Sequence, residues 1–318
     1  MSRLFRDVEG KSFCPQGSVV CIGAFDGLHR GHQALVGHAR SRARASGLPA
    51  VALSFEPLPR EFFSKDLPPP RLLLPRAKFE GLRDLGMDAV GLLRFDRKLS
   101  SFSAEEFVER VLVQRLSARE VWVGPEFRFG KGRSGDIGVL QRMGADCGFE
   151  AGEIAPVIVG DERVSSTRLR LQLAAGDLDG AALSLGRRYA ISGKVVRGKQ
   201  LGRKLGYPTA NLRLAGKRPA LGGIYATWVH GVGAQRLPSV SSLGTRPTVF
   251  GTEPLLEAHL FDFDGDLYGM RIEVEFVAKL RDELKFDDLP ALVRQMDLDA
   301  QQARKILRHD TEALGANA

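Results

Sequence analysis

The sequence predicts an α/β domain built on a parallel sheet, followed by an antiparallel β domain, either an open sheet or a small barrel, that ends in a helix. Through the first half of the chain, short apolar runs alternate with segments of helical period, a pattern typical of βαβ units. After about residue 186, glycine becomes dense, helical periodicity disappears and strictly alternating segments take over. A chain of 318 residues has room for two domains, which we predict at 1–185 and 186–318.

Apolar runs bounded by turn residues are predicted as the strands of the first domain. They lie at Ser18–Ile22, Pro49–Phe55, Asp88–Phe95, Glu120–Val123 and near Ile154–Val159. Helices are predicted at about Gly31–Ala45, from a Pro-rich loop at 57–75 to near Gly86, behind Ser103, at Ile137–Met143 and at Ser166–Leu173. Ser103 and Glu106 fit a capping box, which satisfies free amides at the start of a helix. The apolar face of the helix behind them consists of Val108, Val111, Leu112 and Leu116.

The second domain carries strand and hairpin signals. Arg271–Phe276 alternates strictly between charged and apolar residues, which predicts a half-buried strand. Asp264-Gly265 is typical of a type I′ hairpin turn. A closing helix is predicted near Leu289–Leu307, and its apolar face consists of Leu289, Leu292, Val293, Met296, Ala300, Ala303 and Leu307.

Composition and charge exclude several classes of protein. No apolar run approaches the ~18 residues that a membrane span needs, and the N-terminal segment carries charges where a signal peptide would have an apolar core. The three cysteines are scattered without a CxxC pair, so we expect no disulfide framework and no zinc site, and we favour a reducing cytosol. A net charge of +8 suits polyanionic ligands, whether nucleotides or nucleic acid.

The segment Gly23–His32 directly follows the first predicted strand and opens the first helix. In open parallel sheets, ligands bind at this edge, outside the carboxyl ends of the strands. A helix N-terminus receives phosphate through its free amides and its dipole, and the three glycines of the segment allow close approach of the backbone. His29 and His32 share one face of the first helical turn. Their imidazoles can donate hydrogen bonds to phosphate and stabilise charge on a phosphorus centre under attack.

Plainer interpretations of these residues stay open. One histidine could be a solvated turn residue while the other caps the helix, because short motifs carry a real risk of false positives. Ser166 and Thr167 begin a helix, so their hydroxyls either bind phosphate together with Arg163 and Arg170 or act as ordinary helix caps.

A second group of chemically suggestive residues lies in the basic, glycine-rich stretch that enters the β domain, which contains no Walker A sequence. Thr209 and Asn211 stand two apart, so on an extended segment they face the same side. Their neutral oxygens can hold Mg²⁺ once ATP phosphates and waters complete its shell. Alternatively, the pair satisfies a turn.

Glu257 is a candidate general base. We place it on the same strand face as His259, directed toward the barrel interior, where a buried carboxylate needs a partner or a function. It could take the proton from an alcohol that attacks a phosphate. Alternatively, it forms a rim ion pair with Arg271 or Arg281.

The loop before the first helix resembles the HxGH nucleotidyltransferases, in the run Gly23-Ala24-Phe25-Asp26-Gly27-Leu28-His29-Arg30-Gly31-His32. More narrowly, it is similar to the adenylyltransferase module of the bifunctional riboflavin kinase/FMN adenylyltransferases, also called FAD synthetases. Later segments follow the order of that family, with F-E-P-x-P at Phe55–Pro59, V-G-x-D-F-x-F-G at Val123–Gly130 and R-x-S-S-T-x-x-R at Arg163–Arg170. Leu58 stands where a polar residue is common, and Glu126 where Asp or Asn is usual.

This resemblance implies an adenylyltransferase domain with site residues at the matching positions. His29 and His32 would be catalytic. The ATP phosphates would be bound by Gly23, Phe25, Asp26, Gly31, Arg163, Ser165, Ser166, Thr167 and Arg170. The flavin would be bound by Phe55, Pro57, Glu126 and Phe127.

The second domain resembles the riboflavin kinases, in the PTAN motif Pro208-Thr209-Ala210-Asn211 and in three later segments, Ser242–Thr248, Glu257–Leu260 and Leu280–Glu283 with Phe286. The resemblance implies an antiparallel kinase β-barrel, with Mg²⁺ held by Thr209 and Asn211 and with Glu257 as the catalytic base. It also implies ATP contacts at Gly198, Gly202 and Lys204. Flavin contacts would be made by Arg281, Glu283 and Phe286.

The resemblance covers about residues 14–310 and implies an FAD-biosynthesis enzyme. The second domain would phosphorylate riboflavin to FMN, and the first would join FMN to AMP with release of pyrophosphate. We expect ATP, riboflavin and FMN as small-molecule partners, Mg²⁺ as the required ion, no nucleic-acid or membrane partner, a monomer or weak homo-oligomer, and a cytoplasmic location. One rival is an HxGH transferase that acts on another acceptor, such as a pantetheine or nicotinamide phosphate. The PTAN motif disfavours this alternative. The other is an RNA-binding module, which exposed aromatic residues among Arg and Lys would favour.

Overall fold

The computed structural model describes residues 2–198, 202, 205–248 and 251–315. Two compact units divide the chain. The first comprises Met1–Pro69 and Pro75–Ser166, and the second comprises Pro70–Leu74 and Thr167–Ala318. The boundary predicted after residue 185 stays a proposal. Within the described ranges, no helix is long and apolar enough to cross a membrane.

The first unit is built on a parallel sheet. Its strands are β1 (Arg3–Phe5), β2 (Ser18–Ile22), β3 (Ala50–Glu56), β4 (Ala89–Arg94), β5 (Ala118–Val123) and β6 (Glu150–Glu153). In the described residues they run in the order β1-β4-β3-β2-β5-β6, with every pair parallel. All five residues of β2 are buried, as expected for a central strand covered on both faces. The parallel-sheet prediction is confirmed.

Helices of the first unit connect these strands. They are α1 (Arg30–Ser46), α2 (Pro59–Phe62), α3 (Pro75–Asp84), α4 (Arg97–Ser100), α5 (Ala104–Phe107) and α6 (Ile137–Cys147), with a 3₁₀ turn at Lys131–Arg133. The capping box at Ser103 is confirmed, because its side chain accepts from the amide of Glu106 and the Glu106 carboxylate accepts from the amide of Ser103. These contacts fix where α5 begins.

Three details of the first unit differ from the prediction. The helix behind α5 is a π-helix over Val108–Arg115, although its predicted apolar side chains are buried. The strand expected near Ile154–Val159 is instead β6, ending at Glu153, followed by a short antiparallel pair, β7 (Ile158–Val159) and β8 (Glu162–Arg163). The short elements β1, α2 and α4 were not predicted, because each is too brief to give a periodic signal.

The second unit contains a closed antiparallel barrel, which decides between the two β architectures that the sequence left open. Its strands are β9 (Ala190–Val196), β10 (Ala210–Arg213), β11 (Gly223–His230), β12 (Leu237–Thr248), β13 (Gly251–Leu260) and β14 (Arg271–Arg281). The described strands close in the order β10-β13-β12-β11-β14-β9. Alternate side chains fill the interior, among them Leu212, Tyr225, Val229, Leu243, Leu256, Val274 and Phe276.

Helices precede and follow the barrel strands along the chain. Ahead of it come α7 (Ser166–Ala175) and α8 (Leu178–Leu185), and after it comes α9 (Leu289–Gly315). Ala303 and Leu307 of α9 pack against Trp228 on the outer face of β11. Leu289, predicted on the apolar face of this helix, is 53% exposed, because it lies in the first turn, ahead of the part that contacts the barrel.

The predicted type I′ turn at Asp264-Gly265 is wrong. β13 and β14 are joined by the loop 261–270, in which the positive φ angles belong to Asp262 and Gly269. A two-residue turn of type I′ needs positive φ at both central residues, and Asp264 and Gly265 have neither. The longer loop contributes to a cavity described below.

Two candidate active sites

The first candidate site is built on the loop between β2 and α1, at the carboxyl edge of the parallel sheet. Phe25 and Leu28 adopt φ angles of 47° and 48°, and Gly27 adopts 94°. Positive φ is unfavourable for residues with a Cβ and is often found at functional sites. Both side chains are buried, so packing holds the loop in this conformation.

His29 and His32 lie face to face at the start of α1. Their ring centroids are 3.7 Å apart with planes 17° apart, and His29 Nδ1 accepts from the amide of His32 at 3.3 Å. His29 is therefore the N-cap, as one alternative held. His29 is 7% exposed, and Nδ1 of His32 is shielded from solvent. Neither ring is therefore a solvated turn residue. A Cβ at Gly31 would stand 3.2 Å from the His29 ring, so any larger residue there would have to shift that ring by a few tenths of an ångström.

His32 is kept uncharged by its surroundings. Its Nδ1 is shielded from solvent and has no hydrogen-bond partner among the described residues. Burial lowers the pKa of His32 well below its ordinary value, and the nearby charges of His29 and Lys78 lower it further. At neutral pH the ring is a neutral imidazole, with one donor and one acceptor nitrogen.

The segment Arg163–Ser166 contacts two other motifs of the first unit. Ser166 Oγ donates to the carbonyl of Asp26 at 2.8 Å, within the β2–α1 loop. Arg163 lies 3.2 Å from Glu126 Oε1 and also donates to the Pro125 carbonyl at 3.2 Å. Three segments that are distant in sequence therefore meet at this edge of the sheet: the β2–α1 loop, residues 125–126 and residues 163–166. Ser165 lies in the last of these, between the two contacting residues.

Thr167 and Arg170 fall in the second compact unit, although α7 runs continuously through them. There, Arg170 Nε donates to the Pro70 carbonyl at 2.7 Å. Their predicted phosphate contacts stay predictions.

An apolar cavity of about 500 Å³ lies in the first unit. Its walls are mainly phenylalanine rings, from Phe55, Phe63, Phe95, Phe102, Phe107, Phe127 and Phe129. Two of the predicted flavin-binding residues, Phe55 and Phe127, line it. The cavity has the apolar lining and the size that suit a flat aromatic ligand. Pro57 and Glu126 are not among its lining residues. Leu58, the departure from the family motif, is buried at the start of α2.

The sequence interpretation missed Lys78 on α3. Its side chain is fully buried, and its ammonium contacts Glu56 Oε1 at 2.9 Å. Only Lys78 and Leu82 of α3 are buried. A lysine four residues from a leucine on the inward face of a predicted helix is the signal that could have found it.

The second candidate site is a cavity of about 550 Å³ in the barrel unit, bordered by the first half of α9. Thr209, Asn211 and Glu257 all line it. Thr209 Oγ1 donates to Glu257 Oε1 at 3.4 Å, and Asn211 Nδ2 donates to Thr209 Oγ1 at 3.4 Å. The structure thus gathers the three residues at one point, with Asn211 paired to Glu257 across β10 and β13.

Glu257 faces away from the barrel interior, contrary to the prediction. Leu256, Ala258 and Leu260 of β13 belong to the interior core, so the alternating residues Glu257 and His259 point outward. Both line the cavity, and His259 hydrogen-bonds through Nδ1 to the Pro208 carbonyl at 2.8 Å. The carboxylate is half-buried.

Arg281, one of the ion-pair partners considered for Glu257, pairs with Asp299 of α9 instead. Its guanidinium nitrogens lie 2.6 to 3.1 Å from the two carboxylate oxygens, and Gln295 also donates to Asp299 at 3.0 Å. Phe286 lies with its ring centroid 5.8 Å from the same guanidinium. Such a two-pronged pair fixes the orientation of both groups.

Glu283 completes this wall of the cavity. Burial raises the pKa of Glu283, against an opposing effect from Arg281. A Cβ at Gly244 would collide with the Glu283 carboxylate. Glycine at 244 is therefore required for Glu283 to occupy its place.

The glycines before the PTAN motif also lie close to this site. A Cβ at Gly198 would stand 2.7 Å from Asn211 Oδ1, and Gly202 lines the cavity. Lys204 lies outside the described residues.

A smaller cavity of about 280 Å³ adjoins the first at Thr209, which lines both. The loop 263–268 between β13 and β14 forms one side, and Pro208 and Ala210 form the other. Sequence patterning gave no sign of it, because its walls come from a loop without periodicity.

The donor set around Thr209 fits a hard cation. The hydroxyl of Thr209 and the amide of Asn211 supply neutral oxygen ligands of a kind that Mg²⁺ accepts, and Mg²⁺ usually completes its shell with substrate phosphates and water. Among the described residues, no group of three His, Cys, Asp or Glu side chains could hold a metal. An ion here would therefore depend on the neutral ligands and on bound phosphates.

Comparisons with known proteins agree with this division into two sites. A family model described as FAD synthetase matches residues 11–168, and one described as riboflavin kinase matches 185–307. The bifunctional riboflavin kinase/FMN adenylyltransferase of Escherichia coli (strain K12) is 41% identical over 304 residues, covering 95% of this chain and 97% of the relative. The protein of the same description from Pseudomonas fluorescens is 44% identical over 292 residues, covering 92% and 93%.

A solved structure is similar over most of the chain. The structure described as a macrolide-efflux protein from Streptococcus pneumoniae superposes with a TM-score of 0.77 and 29% identity, covering 95% of this chain and 98% of that one.

Proposed function

The chain belongs to the family of bifunctional riboflavin kinase/FMN adenylyltransferases, and from this membership we propose how its two sites divide the work. The protein phosphorylates riboflavin with ATP to FMN and then adenylylates FMN with a second ATP, giving FAD and pyrophosphate. The observation that carries this conclusion is the 41% identity over 95% of the chain to a protein described by both activities.

In the kinase reaction, Glu257 acts as the base that removes the proton from the 5′-hydroxyl of riboflavin. The alcohol oxygen then attacks the γ-phosphate of ATP, and ADP leaves. Glu257 suits this role because its carboxylate faces the cavity beside Thr209 and is only half-buried. A positioned base of this kind contributes about 10²–10⁴-fold to rate.

Thr209 and Asn211 would hold Mg²⁺ together with the ATP phosphates, and the bound ion would supply positive charge against the transferring phosphate. The smaller cavity, which shares Thr209 with the larger one, would then receive the nucleoside end of ATP. We expect Gly198, Gly202 and Lys204 to contact the ATP phosphates.

Riboflavin occupies the larger cavity of the barrel unit. Arg281, Glu283 and Phe286 line this cavity. The guanidinium of Arg281 is fixed by Asp299, so it offers a preorganised polar contact beside the ring of Phe286. A flat ring system with a polar edge matches such a wall.

In the adenylylation reaction, the phosphate of FMN attacks the α-phosphate of ATP and pyrophosphate leaves. A phosphate monoester dianion is already nucleophilic, so the site has to position the reactants and stabilise charge. His29 and His32 donate to the phosphates at the start of α1, with the backbone of Gly23, Phe25, Asp26 and Gly31 around them. Arg163, Ser165 and Ser166 of the first unit would contact the triphosphate, and the contacts expected from Thr167 and Arg170 stay predictions.

The flavin ring of FMN stacks in the phenylalanine-lined cavity of the first unit. Phe55 and Phe127 contribute directly to its walls. Pro57 shapes the loop after Phe55. Glu126 acts indirectly, since its carboxylate holds Arg163.

Small molecules are the partners: ATP, riboflavin and FMN. We assign the protein to the cytoplasm, supported by three free cysteines, of which Cys147 is exposed. We further propose a monomer or weak homo-oligomer without nucleic-acid or membrane partners.

Purified protein incubated with riboflavin, ATP and Mg²⁺ tests these assignments. Chromatography of the flavins should show FMN first and FAD later, with pyrophosphate released in step with FAD. Chelation of Mg²⁺ should stop both steps. Absence of either flavin product under these conditions would refute the corresponding activity.

A further inference from the structure

Lys78 is a fully buried lysine in the first unit, on a helix that otherwise buries only Leu82. Burial of an ammonium group is costly unless it is paired and hydrogen-bonded. Its Nζ lies 2.9 Å from Glu56 Oε1, 3.3 Å from Ser54 Oγ and 3.4 Å from the Phe55 carbonyl. These three acceptors match the three donors of an ammonium group.

All three acceptors lie at the carboxyl end of β3. Ser54 Oγ uses its own proton to donate to the Ala24 carbonyl at 3.1 Å, so the contact continues from Lys78 through Ser54 into the β2–α1 loop. Phe55 lines the aromatic cavity. One ammonium group therefore connects the β2–α1 loop, which leads into the helix start with the two histidines, to the end of β3, where Phe55 forms part of the cavity wall.

Lys78 also acts electrostatically on His32. Its positive charge opposes protonation of the imidazole, together with burial and the neighbouring His29. Other charged groups on the adjoining elements include Asp26 of the β2–α1 loop, Arg30 at the start of α1, and Glu56 of β3, which is paired with Lys78.

We propose that Lys78 is a positioning residue for the adenylylation step: its ammonium fixes the carboxyl end of β3 against the β2–α1 loop, which leads into the helix start that carries His32. This inference rests on the proposed function of the first unit. Lys78 touches no substrate, because its side chain is fully buried. It acts through Glu56, Ser54 and His32.

Lys78→Met combined with Glu56→Gln tests the proposal without leaving an unpaired buried charge. The double variant should lower kcat for conversion of FMN to FAD by about 10- to 100-fold, the cost of a small misplacement in a reaction that depends on positioning. KM for ATP should change little. The pKa of His32, followed by NMR titration of its ring protons, should rise. Lys78→Arg, which keeps the charge, should leave the His32 titration close to that of the unmodified protein.

The matched control is Lys98→Met with Glu9→Gln, an exposed lysine–glutamate pair in the same unit. It should change neither kcat nor the His32 titration. If the Lys78 double variant lost only thermal stability, with kcat and the His32 titration unchanged, the positioning role would be refuted and Lys78 would be purely structural. If the unmodified protein formed no FAD, the proposed function would fail, whereas the NMR titration would still report the effect of Lys78 on His32.

Discussion

The two candidate sites, both of which we propose to bind the phosphates of ATP, are built from different chemical groups. The site of the first unit consists of a backbone loop, a helix start and two stacked imidazoles, one of them kept neutral by burial. The site of the barrel unit places the carboxylate of Glu257 beside Thr209 and Asn211. The acceptor explains the difference, since an alcohol must lose a proton to attack phosphorus, whereas the phosphate of FMN is already an anion.

The largest effect that tests this comparison is expected at Glu257. Glu257→Gln removes the base but keeps the size and hydrogen bonding of the side chain, so kinase turnover should fall by about 10²–10⁴-fold. Formation of FAD from added FMN should be unchanged. Glu253→Gln, on the same strand, is the control and should keep both activities. Equal loss of both activities in folded Glu257→Gln protein would break the comparison.

A somewhat smaller effect is expected at His32. His32→Ala removes one preorganised donor to the phosphates, which costs about 2.7–4 kcal/mol in comparable sites. FAD formation should therefore fall by about 10²–10³-fold, while riboflavin is still converted to FMN. His38→Gln on the same helix should keep turnover per folded molecule. Normal FAD formation by His32→Ala would show that the stacked histidines are not part of the machinery.

A moderate effect is expected at Gly244. A methyl group there displaces the Glu283 carboxylate from the cavity wall, so Gly244→Ala should raise KM for riboflavin by about 10-fold, equivalent to ~1.4 kcal/mol of binding. Adenylylation of FMN should not change. Gly233→Ala, where a Cβ meets open space, is the control. An unchanged KM would mean that Glu283 does not contact the flavin.

The smallest expected effect is the contribution of His32 to the pH dependence of the free energy of unfolding. Because the pKa of His32 is lowered in the folded protein, the unfolded chain binds more protons as pH falls through about 6.5, the ordinary histidine value. The contribution of neutral His32 to the free energy of unfolding is therefore present above that pH and is lost below it. The free energy of unfolding changes by at most about 1.4 kcal/mol per pH unit in this range. Denaturant unfolding of the unmodified protein should show a steeper acid loss than unfolding of His32→Gln. Identical pH profiles would contradict a neutral, buried His32.

Much of the fold was predictable because buried strands and amphipathic helices leave periodic patterns. β2 was predicted with the bounds that the structure shows, and the loop after it was recognised from its residue types. The side to which Glu257 points was not predictable, because alternation separates two faces without telling which one meets the core. Register against β10 and β12 settles that question only in the folded barrel.

Other parts of the sites depended on contacts that the sequence does not display. The helical spacing of Lys78 and Leu82 could have suggested a shared face, but the partners of Lys78 could not be predicted, because Glu56 and Ser54 lie more than 20 residues away. The cavity beside Thr209 is formed by the non-periodic loop 263–268. The ion pair between Glu126 and Arg163 likewise joins distant segments. Such groupings follow from tertiary packing rather than from local propensity.

Mixing two single-site variants tests the independence of the sites most directly. Glu257→Gln and His32→Ala protein would be incubated together with riboflavin, ATP and Mg²⁺, and the flavins separated over time. The account predicts that the mixture restores FAD, since FMN released by the His32 variant is adenylylated by the Glu257 variant. A folded mixture that accumulates FMN without FAD, or makes neither, would contradict two separate sites.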